Sequence, residues 1–310
     1  MRVGALCAGY GGLELGLQLA GIDTDLVWVA ETDKHASAVL DARFGVPNLG
    51  DLTEIVDPPQ VDAITAGFPC QPVSHAGRRA GIDDERWLIR DVVSVAERAG
   101  AQWIFMENVR GLLTANQGDA FGQVLDALAD GGFDARWACV RADQSVGACH
   151  RRDRWFAVAH ANGAVSQAWG DARLGEQHAD GGEPVGHTPS VAYADSPRRG
   201  EQRGSVPVEQ KLRSPKRGGS QVGWGDYADA IARWERASGR CAPAPVTDSK
   251  ILSSRFVEWM MGLPDGWVTG AGLSRSQELK MLGNGVVPQQ AAAAYGWLMQ
   301  QVLADKLEAT

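Results

Sequence analysis

The chain has 310 residues, 44% of them apolar and 22% charged, which is enough apolar material for one large domain and a smaller one and excludes a disordered tail or a mini-protein. Its formal charge of −8 excludes a uniformly basic, histone-like surface but leaves room for local basic patches. No run reaches the roughly 18 apolar residues of a membrane span, and Met1 to Gly4 enters a strand pattern without a signal-peptide layout, so no membrane association and a cytoplasmic address are expected.

From Val3 to about Ala159, short β-branched runs alternate with helical patterns, the signature of an α/β domain built on a parallel sheet with crossover helices. Strands are predicted at Val3–Leu6, Leu26–Ala30, Val61–Ala66, Trp103–Met106, Arg136–Val140 and Arg154–Ala159. Asp119 reads as the N-cap of a helix with Phe121, Val124, Leu125 and Leu128 on one face, stopped by Gly131-Gly132. Beyond Ala159 the pattern dissolves: 22 of the 64 residues from 160 to 223 are Gly, Pro or Ser. Inside that stretch Arg198, Arg199, Arg203, Lys211, Arg213, Lys216 and Arg217 stand against Glu201 and Glu209, a local charge of +5. On composition alone this is a solvated linker. Helical pattern resumes near Tyr227–Arg236, and a last helix is expected from Pro288 to about Leu303.

Three clusters at predicted strand ends carry chemistry. After the first strand, Cys7-Ala8-Gly9-Tyr10-Gly11-Gly12 opens a helix bearing Leu13, Leu15, Leu17 and Leu19. Glycines admit a ligand to the backbone and a helix N-terminus favours negative charge. Glu31, 20 residues after Gly11, sits where a carboxylate can accept bonds from ribose hydroxyls. A nucleoside-cofactor site and a plain structural turn both fit this loop. In Gly67-Phe68-Pro69-Cys70-Gln71-Pro72-Val73-Ser74, two prolines hold the Cys70 thiol on a stiff loop. Such a thiol is either a nucleophile or a small buried hydrophobe. The apolar run Trp103–Met106 then presents Glu107-Asn108-Val109, and an acid beside a thiol suits the nucleophile. Cys139 and Cys149 have no such setting and read as buried hydrophobes; with Cys7 and Cys241 the five cysteines form neither a disulfide framework nor a metal cluster. The third cluster, His150-Arg151-Arg152-Asp153-Arg154, places His150, Arg152 and Arg154 on one side of an extended chain, for an anion or for a charged surface.

Taken together, these clusters resemble the cytosine-C5 DNA methyltransferase family of prokaryotes and phages, over nearly everything outside residues 160–245. The resemblance rests on Ala8-Gly9-Tyr10-Gly11-Gly12, Glu31, Gly50-Asp51, Pro69-Cys70-Gln71, Glu107-Asn108-Val109, Arg152-x-Arg154 and Gly283-Asn284-Gly285-Val286, in family order. Phe256 to Pro264 is similar to the family's penultimate motif, with Lys250 where an arginine is usual. It implies a Rossmann-like sheet in residues 1–160, a smaller irregular target-recognition domain in 161–248, and a segment 249–310 folding back on the first. The implied cofactor is S-adenosylmethionine, held by Ala8, Gly9, Tyr10, Gly11, Gly12, Leu13, Glu31, Thr32, Asp51, Leu52, Pro69, Leu88, Asn284 and Val286. The implied reaction is methyl transfer to C5 of a cytosine flipped from duplex DNA, with Cys70 attacking C6, Glu107 protonated at N3, Asn108 positioning it, and Arg152, with Arg154 beside it, binding the O2 side and the carboxylate. Gln71, Ser74, the basic residues from Arg198 to Arg217, and Lys250 are expected against DNA. A monomer beside a cognate restriction endonuclease is expected, with no metal. Cys7 and Thr32 stand where aromatics are common in the family, and His150 where glutamine is usual. Competing readings are a tRNA cytosine-C5 methyltransferase, a DNA-binding regulator without turnover, and a nicotinamide oxidoreductase.

Overall fold

The computed structural model describes residues 1–69, 87–161 and 222–308. Six strands form one sheet: β1 (Arg2–Leu6), β2 (Asp25–Ala30), β3 (Ala63–Ala66), β4 (Trp103–Val109), β5 (Phe133–Arg141) and β6 (Asp153–Ala161). Their order is β2-β1-β3-β4-β6-β5. Strands β1 to β4 are parallel, and β2, β3 and β4 are each reached through a helix: α1 (Gly12–Leu19), α2 (Lys34–Phe44) and α3 (Ile89–Arg98). The chain reverses direction in the order of the sheet at β1, with β2 on one side and β3 on the other, and open α/β sheets bind ligands at the carboxyl ends of the strands at such a point.

The sequence pattern predicted a parallel sheet, and the sheet departs from that at one edge. Strand β6 runs antiparallel to both β4 and β5. A parallel return needs a crossover of about a dozen residues or more, usually a helix. Residues 142–152 hold one short turn, α5 (Ala142–Ser145), so β6 doubles back against β5 and slides between it and β4. Strand β4 also runs three residues past Met106, which puts Glu107 and Asn108 inside the ladder, opposite Phe156 and Trp155. Helix α4 (Asp119–Asp130) starts at Asp119, which is its first helical residue; the N-cap is Gly118 at φ 101°, a left-handed conformation that glycine adopts freely. Gly131 ends the helix as expected.

After the described chain resumes at 222, α6 (Ala228–Ser238), α7 (Ser254–Met260), α8 (Arg275–Asn284) and α9 (Pro288–Glu308) follow. Helix α9 extends beyond the expected Leu303 and lies on α1, where Ala291 meets Gly16 so closely that a Cβ on the glycine would sit 2.6 Å from it. Tyr295 packs edge-on to Phe105 and Phe156, which joins the end of the chain to the centre of the sheet. Helix α6 falls in the expected recognition segment, yet Ile231 and Trp234 are buried with Ala142, Ala148, Phe256 and Trp259.

One buried acid belongs to this packing. Glu14, in the first turn of α1, is 4% exposed, accepts a hydrogen bond from the Thr65 hydroxyl, and has its second oxygen buried without a partner among the described residues. Burial raises its pKa above the ordinary carboxylate value, outweighing the Thr65 bond. The folded state therefore holds a proton that the unfolded chain releases, and this group's contribution to stability is present at low pH and lost as pH rises past the ordinary carboxylate range. Glu14→Gln is expected to raise Tm at pH 8 relative to wild type and to change it little near pH 4, read by thermal denaturation at both pH values. An equal shift at both would show that the carboxyl does not titrate with folding.

Candidate active site

A cavity of about 1120 Å³ opens at the carboxyl ends of β1 to β4. Every residue expected around the cofactor lines it except Gly11. Gly11 is buried with φ 80°, and a Cβ there would sit 2.3 Å from the Phe44 ring, so the turn and the packing on α2 both require glycine at this position. Gly9, at φ 59°, would direct a Cβ into open space.

Along one wall Glu31 accepts from the Gly9 amide at 2.9 Å and the Asp33 amide at 2.8 Å, which fixes its carboxylate between the glycine loop and α2. Asp51 caps a short helical turn, accepting from the Thr53 amide and hydroxyl at 2.9 and 2.8 Å. Two fixed carboxylates at one end and the amino end of α1 at the other suit a nucleoside with hydroxyl and amino donors and an anionic tail. The segment Gly283 to Val286, the end of α8 and the turn after it, closes the opposite side. Tyr10 is 1% exposed, donates to the Val286 carbonyl at 2.5 Å, and lies so near Gly285 that a Cβ there would be 1.9 Å from its ring.

The deep wall belongs to β4 and β6. Glu107 receives Arg154 Nε at 3.1 Å, and the two side chains are only 14% and 19% exposed. Burial pushes the Glu107 pKa up, and the nearby Arg154 and Arg152 charges oppose this without cancelling it. Burial thus shifts the balance at Glu107 towards the protonated carboxyl, the form that can donate a hydrogen bond. Asn108, 2% exposed, donates to the Phe68 carbonyl at 3.2 Å and accepts from the Val109 amide at 2.8 Å. It thus ties Phe68, two residues before Cys70 in the sequence, to the strand that carries Glu107. The partner of Glu107 is Arg154, a correction to the expectation that Arg152 binds the carboxylate. Arg152 instead donates to the carbonyls of Gly283, at 3.2 Å, and Gly285. The reason is backbone geometry. Strand β6 begins at Asp153 and Arg152 has φ 29°, so the alternation that predicted a shared face does not apply there. His150, Arg152 and Arg154 nevertheless line one smaller cavity of about 340 Å³ with Val257, Met260 and Met261.

Cys70, Gln71, Ser74 and the basic residues from Arg198 to Arg217 lie outside the described residues. Lys250 stands at φ 57° in a turn closed by the Val246–Leu252 bridge and does not line the cavity. The rim includes four residues that no motif signalled: Asp33, His35, Gln277 and Lys280. Lys280 lies 3.2 Å from Asp33 and the Gln277 amide nitrogen 2.9 Å from His35, so α8 and α2 meet across the mouth. The only local signal was the capping pattern at each helix start, Asp33 for α2 and Ser274 with Gln277 for α8.

Cys7 also lines the cavity, and burial, with Glu31 and Asp51 adding to it, pushes its pKa up to about 12. Burial raises Cys139 and Cys149 to about 11, in keeping with their reading as small hydrophobes. Cys241 is exposed. The thiolate is the reactive form, so brief iodoacetamide treatment at pH 8 should label Cys241 far ahead of Cys7, Cys139 and Cys149, read by peptide mass spectrometry. Labelling of Cys7 as fast as Cys241 would contradict this.

Residues 1–190 match the model of the C-5 cytosine-specific DNA methylase family. The chain is 38% identical over 152 residues to the Type II methyltransferase M.BsuFI of Bacillus subtilis, covering 48% of this chain and 36% of that protein. It is 28% identical over 309 residues to the Type II methyltransferase M2.BsuMI of Bacillus subtilis strain 168, covering 92% and 72%. The chain thus spans about a third of M.BsuFI. Among solved structures, a putative DNA modification methyltransferase encoded within an E. coli prophage aligns with TM-score 0.59 at 18% identity, covering 97% of this chain and 99% of that one. The Dnmt2 methyltransferase of S. pombe aligns with TM-score 0.57 at 16% identity over the same shares, 97% and 99%. These two share the fold, a Rossmann-like methyltransferase sheet. With the family model covering more than half of its length, the chain belongs to the C-5 cytosine-specific DNA methylase family.

Proposed function

We propose that the chain is a DNA (cytosine-5-)-methyltransferase that uses S-adenosylmethionine and acts on a cytosine flipped from double-stranded DNA. Its setting is the cytoplasm, as a monomer, with a cognate restriction endonuclease as its possible counterpart. Among the described residues, no helix is long and apolar enough to cross a membrane. The observation that carries the reading is the shared wall: Glu107 faces Arg154 at 3.1 Å while its neighbour Asn108 holds the Phe68 carbonyl, two residues before Cys70.

The donor set fits the cofactor. Glu31 and Asp51 would take the ribose and adenine, with the glycine loop, Asn284 and Val286 around the methionine part. Bound there, the cofactor supplies an electrophilic methyl group. The chain's own residues do the rest. Cytosine C5 is a poor nucleophile, and addition of the Cys70 sulfur to C6 makes it an enamine carbon able to accept the methyl. The charge that develops on the ring is met at N3 by the proton of the Glu107 carboxyl. Arg154 holds that carboxyl in place. After transfer, loss of the C5 proton to water restores the C5–C6 double bond and expels the Cys70 thiolate, and N3 returns its proton to the Glu107 carboxylate. Reaching the base requires extruding it from the stack, at a cost of roughly a few kcal/mol. Gln71, Ser74, the +5 segment from Arg198 to Arg217, and Lys250 are the groups proposed against the DNA, with 161–248 as the recognition domain.

A duplex with 5-fluorocytosine at the target lacks a removable C5 proton, so the sulfur adduct accumulates. Incubation with wild type and cofactor should give a complex stable in denaturing gels, and Cys70→Ser should give none. Glu107→Gln is expected to lower methylation of ordinary DNA by about 10² to 10⁴. An adduct that persists in Cys70→Ser would overturn the assignment.

A further inference from the structure

Arg154, not Arg152, stands on Glu107, and the surroundings of Arg152 point to a task of its own. Its backbone is held in a left-handed conformation, φ 29°, that disfavours a side chain with a Cβ. Gln290, fully buried at the start of α9, fixes that conformation by donating to the carbonyls of Val140 at 2.8 Å and of Arg152 itself at 2.7 Å. The Arg151 carbonyl next to it accepts from the Ala142 amide at 3.0 Å. A strained residue pinned from two sides has its side chain aimed by the fold.

The guanidinium is aimed at the carboxyl end of α8. The last carbonyls of a helix lack intrahelical partners and carry partial negative charge, so a cation there is both hydrogen-bonded and favourably placed in the helix field. Arg152 takes the Gly283 and Gly285 carbonyls with one nitrogen, and its Nε is buried with no hydrogen-bond partner among the described residues. Those glycines, with Asn284 and Val286, line the large cavity. From the other side, Tyr10 of the glycine loop fixes the same segment through the Val286 carbonyl, and Trp267 donates to the Tyr10 carbonyl at 2.8 Å. Asn284 is exposed and lies between the two anchors.

We propose that Arg152 is a positioning residue that clamps the loop Gly283–Val286 into the cofactor wall and joins it to the strand carrying Arg154, so that its loss weakens cofactor binding while leaving the chemical step intact. This rests on the proposed methyltransferase reading for the identity of the cofactor. Arg152 touches neither reacting atom in this account. Arg154, two residues on, acts on the base side through Glu107. The pair thereby splits two functions that the sequence pattern had merged.

The test is titration calorimetry of the full chain with S-adenosylhomocysteine in the absence of DNA, beside steady-state kinetics on duplex DNA. Arg152→Met should weaken binding about tenfold, raise the cofactor KM by a similar factor, and leave kcat within about threefold. Arg152→Lys, which keeps a donor, should lie between Met and wild type. Arg154→Gln should show the reverse split, a fall in kcat with binding unchanged. Unchanged binding in Arg152→Met, or a fall in kcat with unchanged binding, would overturn the proposal. Should Arg152→Met fail to fold, Arg152→Lys decides it through the rise in Tm on adding S-adenosylhomocysteine: a smaller rise than wild type supports the clamp, an equal rise contradicts it. Wild type that binds the ligand yet forms no adduct with 5-fluorocytosine DNA would fail the methyltransferase reading alone, since the binding comparison still stands.

Discussion

A carboxyl group at the end of an apolar strand, held against a guanidinium from the neighbouring strand, is the contact on which the site depends. Glu107 and Arg154 lie on β4 and β6, with Val109 directly opposite Arg154, so the antiparallel register brings the arginine to the acid. Removing two charges from water is costly, and their attraction offsets that only in part. Here burial dominates and favours the protonated acid. A neutral carboxyl beside a fixed cation can both donate a proton to a ring nitrogen and be stabilised as it becomes an anion. Had β6 paired parallel to β4, Arg154 would have been carried to the other end of the sheet.

The remainder of the site is held in register by contacts between distant parts of the chain. The glycine loop after β1 has to be thin for Val286 to lie on it: a Cβ at Gly12 would sit 2.8 Å from the Val286 side chain. Helix α9 reaches this place because Gly16 lets Ala291 approach α1. Glu258, 2% exposed, organises the turn after α7 by accepting from the amides of Gly266, Val268 and Thr269 and from the Thr269 hydroxyl. That turn presents Trp267 to Tyr10 and to Arg43, which donates to the Trp267 carbonyl at 2.8 Å. Residues from 10 to 290 thus cooperate in one cavity wall.

Much of this was legible from local pattern. Short β-branched runs located all six strands, because buried strands are apolar whatever their direction, and the glycine loop, Glu31, Asp51, Pro69 and Glu107 arrived where strand ends converge. Direction was not legible: an apolar run is the same in either sense, and only the shortness of 142–152 argued for reversal. The partner of Glu107 was not legible either: the resemblance put Arg152 on the carboxylate, and the positive φ at Arg152, which takes it out of the extended alternation, goes with Arg154 standing there instead. The rim formed by Asp33, His35, Gln277 and Lys280 joins residues more than 240 positions apart through exposed polar groups, and such pairs leave no periodic trace. Asp119 was displaced by one residue as a cap because Gly118 could adopt the left-handed turn in its place.

The proton on Glu107 is the most direct point of attack. Single-turnover methylation of duplex DNA, measured across pH with cofactor saturating, should give a bell in the wild type: a rise as the proposed nucleophile, the Cys70 thiol, ionises and a fall as Glu107 loses its proton. In Glu107→Gln the rate should be lower and the alkaline fall absent, since the amide cannot titrate. An alkaline limb that survives unchanged in Glu107→Gln would contradict the account, because the falling rate would then belong to some other group.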